Sequence, residues 1–190
     1  MGKKSSKLAP ESLVQLRRCT AFSDEELQTW YKGFMKDCPS GRMTKKEFEQ
    51  IYRNFFKEGD ASRFASHVFR TFDKNGDESI DFREFICGLS ITCHGSKEDK
   101  LRWAFNMYDI DNSGTITEDE LTEIIRSIYK MMGDEDYEEQ KKSLDDEDTP
   151  EKLAERLFLQ MDEDGDGEVT LEEFVEAAKD DATILKLLQQ

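Results

Sequence analysis

Three acidic segments of twelve residues, 73–84, 109–120 and 162–173, constrain this chain more than anything else in it. Each opens with Asp and closes with Glu, and oxygen-bearing side chains stand at positions 3, 5 and 9 between those ends. Carboxylates crowded this closely repel one another unless a cation lies among them. The spacing wraps one stretch of backbone around one hard cation with six or seven oxygens, the design expected for Ca²⁺. An apolar residue follows each segment at position 13: Phe85, Leu121 and Phe174.

The pattern repeats a fourth time. Stepping back from Asp73 by about one repeat reaches the segment 36–47, with Gly41 at position 6, Met43 at position 8, Glu47 at position 12 and Phe48 at position 13. Position 8 across the four segments reads Met43, Ile80, Ile116 and Val169. The residue before each reads Met35, Phe72, Tyr108 and Met161. The expected fold is therefore all-α: four EF-hand helix–loop–helix units in two paired lobes, with short antiparallel two-stranded β links between paired loops through position 8.

Period-3.6 apolar positions place the helices. Phe64, Val68, Phe69 and Phe72 lead into the second loop, and Phe82, Phe85, Ile86 and Leu89 leave it. Leu101, Phe105 and Tyr108 lead into the third, with Leu121, Ile124, Ile125, Ile128 and Met132 beyond it. Leu153, Leu157, Phe158 and Met161 lead into the fourth, and Thr149-Pro150 reads as a helix start. The expected organisation is an N-terminal arm and first helix (1–22), an N-terminal lobe (23–92), a hinge (93–97) around Gly95 and Ser96, a C-terminal lobe (98–178) and a last amphipathic helix (179–190) carrying Ile184, Leu185, Leu187 and Leu188. The acidic stretch 133–150 reads as a mobile linker.

The loops differ in quality. The fourth offers Asp162, Asp164 and Asp166, a Gly167 turn, the Glu168 carbonyl, Thr170 and the closing Glu173. The third offers Asp109, Asp111, Ser113, Thr115, Thr117 and Glu120, with a neutral Ser113 that lowers its charge. The second offers Asp73, Asn75, Asp77, Ser79, Asp81 and Glu84, but Glu78 stands at position 6 where the turn needs positive φ. A β-carbon there costs roughly 1–2 kcal/mol, so the second loop is expected to bind weakly. The first has Lys36 where the first carboxylate belongs, Cys38 at position 3 and Pro39 at position 4, and is expected to hold no ion. Two or three Ca²⁺ ions are expected in all.

Composition excludes several functions. Acidic residues number 43 against 27 basic, a net charge of −16, which argues against nucleic acid as a partner. Cys19, Cys38, Cys87 and Cys93 have no zinc-like spacing and read as reduced thiols of a cytoplasmic protein. No apolar run is long enough to span a bilayer. No nucleophile–base pairing or phosphate-cradling Gly-rich loop suggests an enzyme, and His67 and His94 read as solvated or helix-surface residues. The N-terminus fits M-G-x-x-x-[ST], a signal for myristoylation of Gly2, with Lys3, Lys4 and Lys7 placed to meet anionic lipid.

Several stretches resemble the neuronal calcium sensor proteins, and among them the hippocalcin, neurocalcin and visinin-like group. They include Met1-Gly2-Lys3, Trp30-Tyr31-Lys32-Gly33-Phe34, Lys36-Asp37-Cys38-Pro39-Ser40-Gly41, Gly59-Asp60-Ala61-Ser62 and Trp103-Ala104-Phe105. The resemblance spans essentially the whole chain, with Glu78, the acidic stretch and Cys93-His94 as departures. It implies a Ca²⁺-myristoyl switch, in which Ca²⁺ ejects a sequestered acyl chain and exposes an aromatic groove in the N-terminal lobe. Carried onto this chain, the groove residues are Phe22, Trp30, Phe34, Tyr52, Phe55, Phe56, Phe64, Phe69, Phe85, Leu89 and Trp103. Phe72, Phe82, Phe105, Phe158 and Phe174 are expected to be core. The implied partners are the membrane, through the myristoyl chain and basic N-terminus, and a helical segment of a membrane-associated signalling protein. A homodimer is left open, and the location is cytoplasmic with Ca²⁺-dependent peripheral membrane association. The competing expectation is a constitutively anchored Ca²⁺ buffer without a switch.

Overall fold

A computed structural model describes residues 7–57, 59–141 and 149–180. Gly2, Lys3, Lys4 and the final segment 181–190 lie outside them. The described chain folds as α1 (Pro10–Leu16), α2 (Asp24–Asp37), β1 (Arg42–Thr44), α3 (Lys45–Phe55), α4 (Ser62–Phe72), β2 (Ser79–Asp81), α5 (Phe82–His94), α6 (Lys97–Tyr108), α7 (Glu118–Lys141), α8 (Pro150–Met161) and α9 (Leu171–Asp180).

One local device starts the helix that leaves every loop. Position 9 is its N-cap and position 12 its third residue, an S/T/D-x-x-E capping box. Thr44 and Glu47 open α3, and Asp81 and Glu84 open α5, with both reciprocal bonds in place. Thr117 accepts from Glu120 N at 3.4 Å while Glu120 Oε2 accepts from Thr117 N at 2.9 Å, and Thr170 with Glu173 repeats this before α9. The first unit keeps the device although it has lost the first carboxylate.

The loops pair as expected. β1 and β2 run antiparallel with Met43 opposite Ile80, and Ile116 forms an isolated antiparallel bridge with Val169. All four position-8 side chains are buried, three of them completely. Each pair of units thus closes over its own apolar centre. The helical path breaks at Gly95, after which Ser96 caps α6 with Asp99.

The two pairs also pack on each other, through α4 against α6 and α7. Asp60 N donates to Lys130 O at 2.7 Å. A β-carbon on Gly59 would overlap the Met131 carbonyl oxygen, so the chain passes α7 more closely than any other residue allows. Arg63 forms an ion pair with Glu123.

One boundary differs from expectation. The stretch 133–150 is not a linker throughout: α7 resumes after a break at Gly133 (φ 79°, ψ 173°) and runs to Lys141. Glu, Gln and Lys are good helix formers, and their propensity prevails over like-charge repulsion here. Thr149 does cap α8, accepting from Lys152 N at 3.3 Å.

Candidate metal centres

The first carboxylate of each acidic loop is fixed by the backbone that turns around it. Asp109 Oδ1 accepts from Ser113 N and its Oδ2 from Gly114 N, both at 3.0 Å. Asp162 accepts from Gly165 N at 2.9 Å and Gly167 N at 3.0 Å. Asp73 accepts from Gly76 N and Glu78 N, both at 2.9 Å. The closing Glu reaches back across the loop. Glu120 Oε1 accepts from Ile110 N at 2.8 Å, and Glu173 Oε1 from Glu163 N at 3.2 Å. Asp73 Oδ1 accepts from Asp77 N as well, and Glu120 Oε1 from Asp111 N, so backbone N–H groups hold each carboxylate in place.

The carboxylates converge in the second pair of loops. Asp109, Asp111 and Glu120 offer oxygens within 4.8 Å of one another, as do Asp162, Asp164 and Asp166. Among the described residues these are the two groups of that kind. Asp111 is held below the usual carboxylate range by the Ser113 side chain, and Glu173 by the Thr170 backbone N–H and hydroxyl. The donors are hard oxygens, the set that Ca²⁺ takes.

The loop at 73–84 has the same turn but a different occupant. Glu78 takes the conformation that glycine takes elsewhere, with φ 63° against 95° at Gly114 and 85° at Gly167. Arg42, on β1, places its guanidinium against Asp77 Oδ2 and donates to Ser79 Oγ at 2.6 Å. The Ser79 hydroxyl and the Arg42 guanidinium lower the Asp77 carboxyl to about 2. In the segment 36–47, Cys38 is buried and caps α2, and burial pushes its thiol up to about 11.

Reasoning from the sequence missed Arg70. It reaches from α4 to the end of α6, where it donates to Met107 O at 2.8 Å, to Asp109 O at 2.7 Å and to Ile110 O. It therefore grips the backbone on which the third loop opens. Nothing in the local pattern distinguishes Arg70 from a solvated helix arginine. His67 departs from expectation too: its side chain is only 12% exposed and lies 3.5 Å from Glu123, because α4 turns that face toward α7. His94 is exposed and meets the Phe22 ring edge-on at 4.8 Å.

The aromatic residues of the N-terminal units form one connected network. Rings touch from Phe22 to Trp30, Trp30 to Phe85, Phe85 to Phe72 and Phe72 to Trp103. Phe34 joins at Phe85, and Phe48 links Phe72 to Phe69 and Tyr52, which touches Phe56 and Phe64. Phe22, Phe34, Phe64 and Phe69 are buried, while Tyr52, Phe56, Phe85, Leu89 and Trp103 are partly buried against the core. Trp30 is 40% exposed and Phe55 78%. Phe72, Phe82, Phe105, Phe158 and Phe174 are all buried. Lys7 is exposed at the start of the described chain, where Leu8 N donates to Gln28 Oε1 at 3.2 Å.

Comparison with known proteins agrees with these features. An EF-hand domain pair model matches residues 98–179, and an EF hand model matches residues 64–86. The chain is 44% identical to human recoverin over 186 residues, covering 98% of this chain and 92% of recoverin. It is 44% identical to S-modulin of Aquarana catesbeiana, covering 98% and 91%. It is 47% identical to neuronal calcium sensor 1 of Lymnaea stagnalis over 188 residues, covering 99% and 96%. Four helix–loop–helix units, oxygen-lined loops and likeness along nearly the whole chain describe a Ca²⁺ sensor rather than an enzyme: the chain belongs to the neuronal calcium sensor family.

Proposed function

We propose that this protein binds Ca²⁺ at the loops 73–84, 109–120 and 162–173, and that filling them opens an apolar face of the N-terminal units to a helix of a membrane-associated signalling protein. Asp109, Asp111, Ser113, Thr115, Thr117 and Glu120 hold one ion. Asp162, Asp164, Asp166, Glu168, Thr170 and Glu173 hold another. Asp73, Asn75, Asp77, Ser79, Asp81 and Glu84 hold the weakest. The observation that carries the reading is a shared wall. Glu84, which closes the loop at 73–84, also lines a largely apolar cleft with Phe72, Ile91 and Trp103. An ion that draws Glu84 inward therefore acts on the cleft. Such loops fill at roughly 10⁻⁷–10⁻⁵ M in sensors. Reversing a closed-to-open ratio from 1:99 to 99:1 takes roughly 5.5 kcal/mol, or about 2–3 kcal/mol from each of two or three ions.

The N-terminal acylation signal at Gly2, with Lys3, Lys4 and Lys7, supports membrane docking as the output. One myristoyl chain binds bilayers only marginally, and each nearby lysine adds about 1 kcal/mol on anionic lipid. Co-sedimentation of the acylated protein with anionic vesicles tests this: binding should rise with Ca²⁺. Partition that ignores Ca²⁺, with hydrophobic-dye binding equally unmoved, would identify an anchored buffer instead.

A further inference from the structure

The weakest loop already has a cation beside it. Arg42 stands at position 7 of the segment 36–47, directly opposite Asp81 in the β1–β2 register. Its guanidinium contacts Asp77 Oδ2 and donates to Ser79 Oγ at 2.6 Å. The choice of oxygen matters. Asp77 Oδ1 already accepts from Ser79 N at 3.0 Å and from Ser79 Oγ at 2.6 Å. In the loop at 162–173, the equivalent Asp166 Oδ1 accepts from Glu168 N at 2.9 Å, and Asp166 offers a carboxylate oxygen within 4.8 Å of those of Asp162 and Asp164. Arg42 therefore takes the Asp77 oxygen that Ser79 leaves to it, at a position where the loop at 162–173 has a carboxylate that converges with its neighbours. The C-terminal pair has nothing equivalent, since its position-7 residues are Thr115 and Glu168. Among the described residues, the carboxylates of 73–84 also fail to converge as those of the other two loops do.

We infer that Arg42 is a tethered counter-cation that sets the Ca²⁺ threshold of the loop at 73–84, and that it must leave Asp77 before an ion can enter. This rests on the reading that the loop binds Ca²⁺. The first unit lost its own metal site but delivers a positive charge into its partner's. Because the pair bridges two side chains that are both partly exposed, the barrier is modest and sensitive to salt. Asp81 and Glu84 also lie in the field of Arg42.

The test is calorimetric Ca²⁺ titration of the full chain carrying Glu120→Gln and Glu173→Gln, so that the loop at 73–84 reports alone. Arg42→Gln should tighten binding about threefold to tenfold. Arg42→Lys, which keeps the charge, should stay near the parent affinity. The gap in affinity between the parent and Arg42→Gln should shrink as ionic strength rises toward about 1 M, where screening reaches roughly 3 Å. Equal affinities, or weaker binding in Arg42→Gln, would overturn the counter-cation role while leaving the loop a Ca²⁺ site. Absence of binding in parent and variants alike would overturn the reading of the loop and this role with it.

Discussion

The N-terminal and C-terminal pairs of loops share one scaffold and differ in charge. Both use position 9 and position 12 to cap the exit helix, and both join their loops through position 8. In the C-terminal pair three carboxylates converge at each loop. In the N-terminal pair one segment has Lys36, Cys38 and Pro39 in place of ligands, and the other has Glu78 in the glycine turn and Arg42 against Asp77. On the proposed reading, the capping Glu has two jobs, starting a helix and closing a metal loop. Glu47 does the first in a segment that opens with Lys36 in place of a carboxylate.

The sharpest way to break that comparison is Glu120→Gln. The one carbonyl oxygen of glutamine can still accept from Thr117 N, so α7 should keep its start, while the amide nitrogen gives up the bond from Ile110 N. It cannot supply a bidentate anion, so Ca²⁺ affinity at 109–120 should fall at least about a hundredfold, about 2.7 kcal/mol or more. Calorimetry should lose one tight site while the melting temperature without Ca²⁺ barely moves. A large drop in metal-free stability would show that the two jobs are not separable.

Next comes the bridge between the pairs. Arg70→Met removes the bonds to Met107 O, Asp109 O and Ile110 O and leaves carbonyls at the end of α6 without them. Hydrogen bonds to a charged group are worth roughly 1.5–3 kcal/mol, so thermal stability should fall by about 2 kcal/mol. Ca²⁺ affinity at 109–120 should weaken, while that at 162–173 stays put. Equal weakening of both would mean that Arg70 supports the whole C-terminal pair rather than one loop.

Arg70 also marks where reading the sequence stops working. Loop spacing and position-8 apolars are local, so the residue order alone reveals them. The same holds for the turn at Glu78 and the break at Gly95. Gly59, Arg42 and Arg70 act on residues far away in the chain: Met131, Asp77 and Asp109. Their roles exist only once α4 packs on α7 and β1 pairs with β2. The acidic stretch misleads for a different reason, since its charge draws more weight than the helix propensity of Glu, Gln and Lys.

Glu78→Gly makes the turn of 73–84 like those of 109–120 and 162–173. A non-glycine residue in the left-handed region costs roughly 1 kcal/mol, so relief should tighten Ca²⁺ binding there about fivefold. Calorimetry on the full chain checks this. Unchanged affinity would put the whole deficit of the N-terminal loop on its charges rather than on its backbone.

The smallest effect concerns the seam between the pairs. His67 lies on α4 against Glu123 of α7, and its Nε2 has no hydrogen-bond partner among the described residues. Burial, reinforced by the positive charge of Arg70, holds its imidazole below the ordinary value of 6.5, and Glu123 offsets only part of that. The folded state therefore favours the neutral ring. Its contribution is fully present above the unfolded value and is lost as pH falls below it, since the unfolded chain then binds the extra proton. Metal-free protein should lose stability between about pH 7.5 and pH 5.5, with His67 supplying at most about 1.4 kcal/mol per pH unit. In His67→Gln that decline should be shallower, measured as urea midpoints across the range. Identical slopes would mean that the seam opens freely enough to solvate the ring.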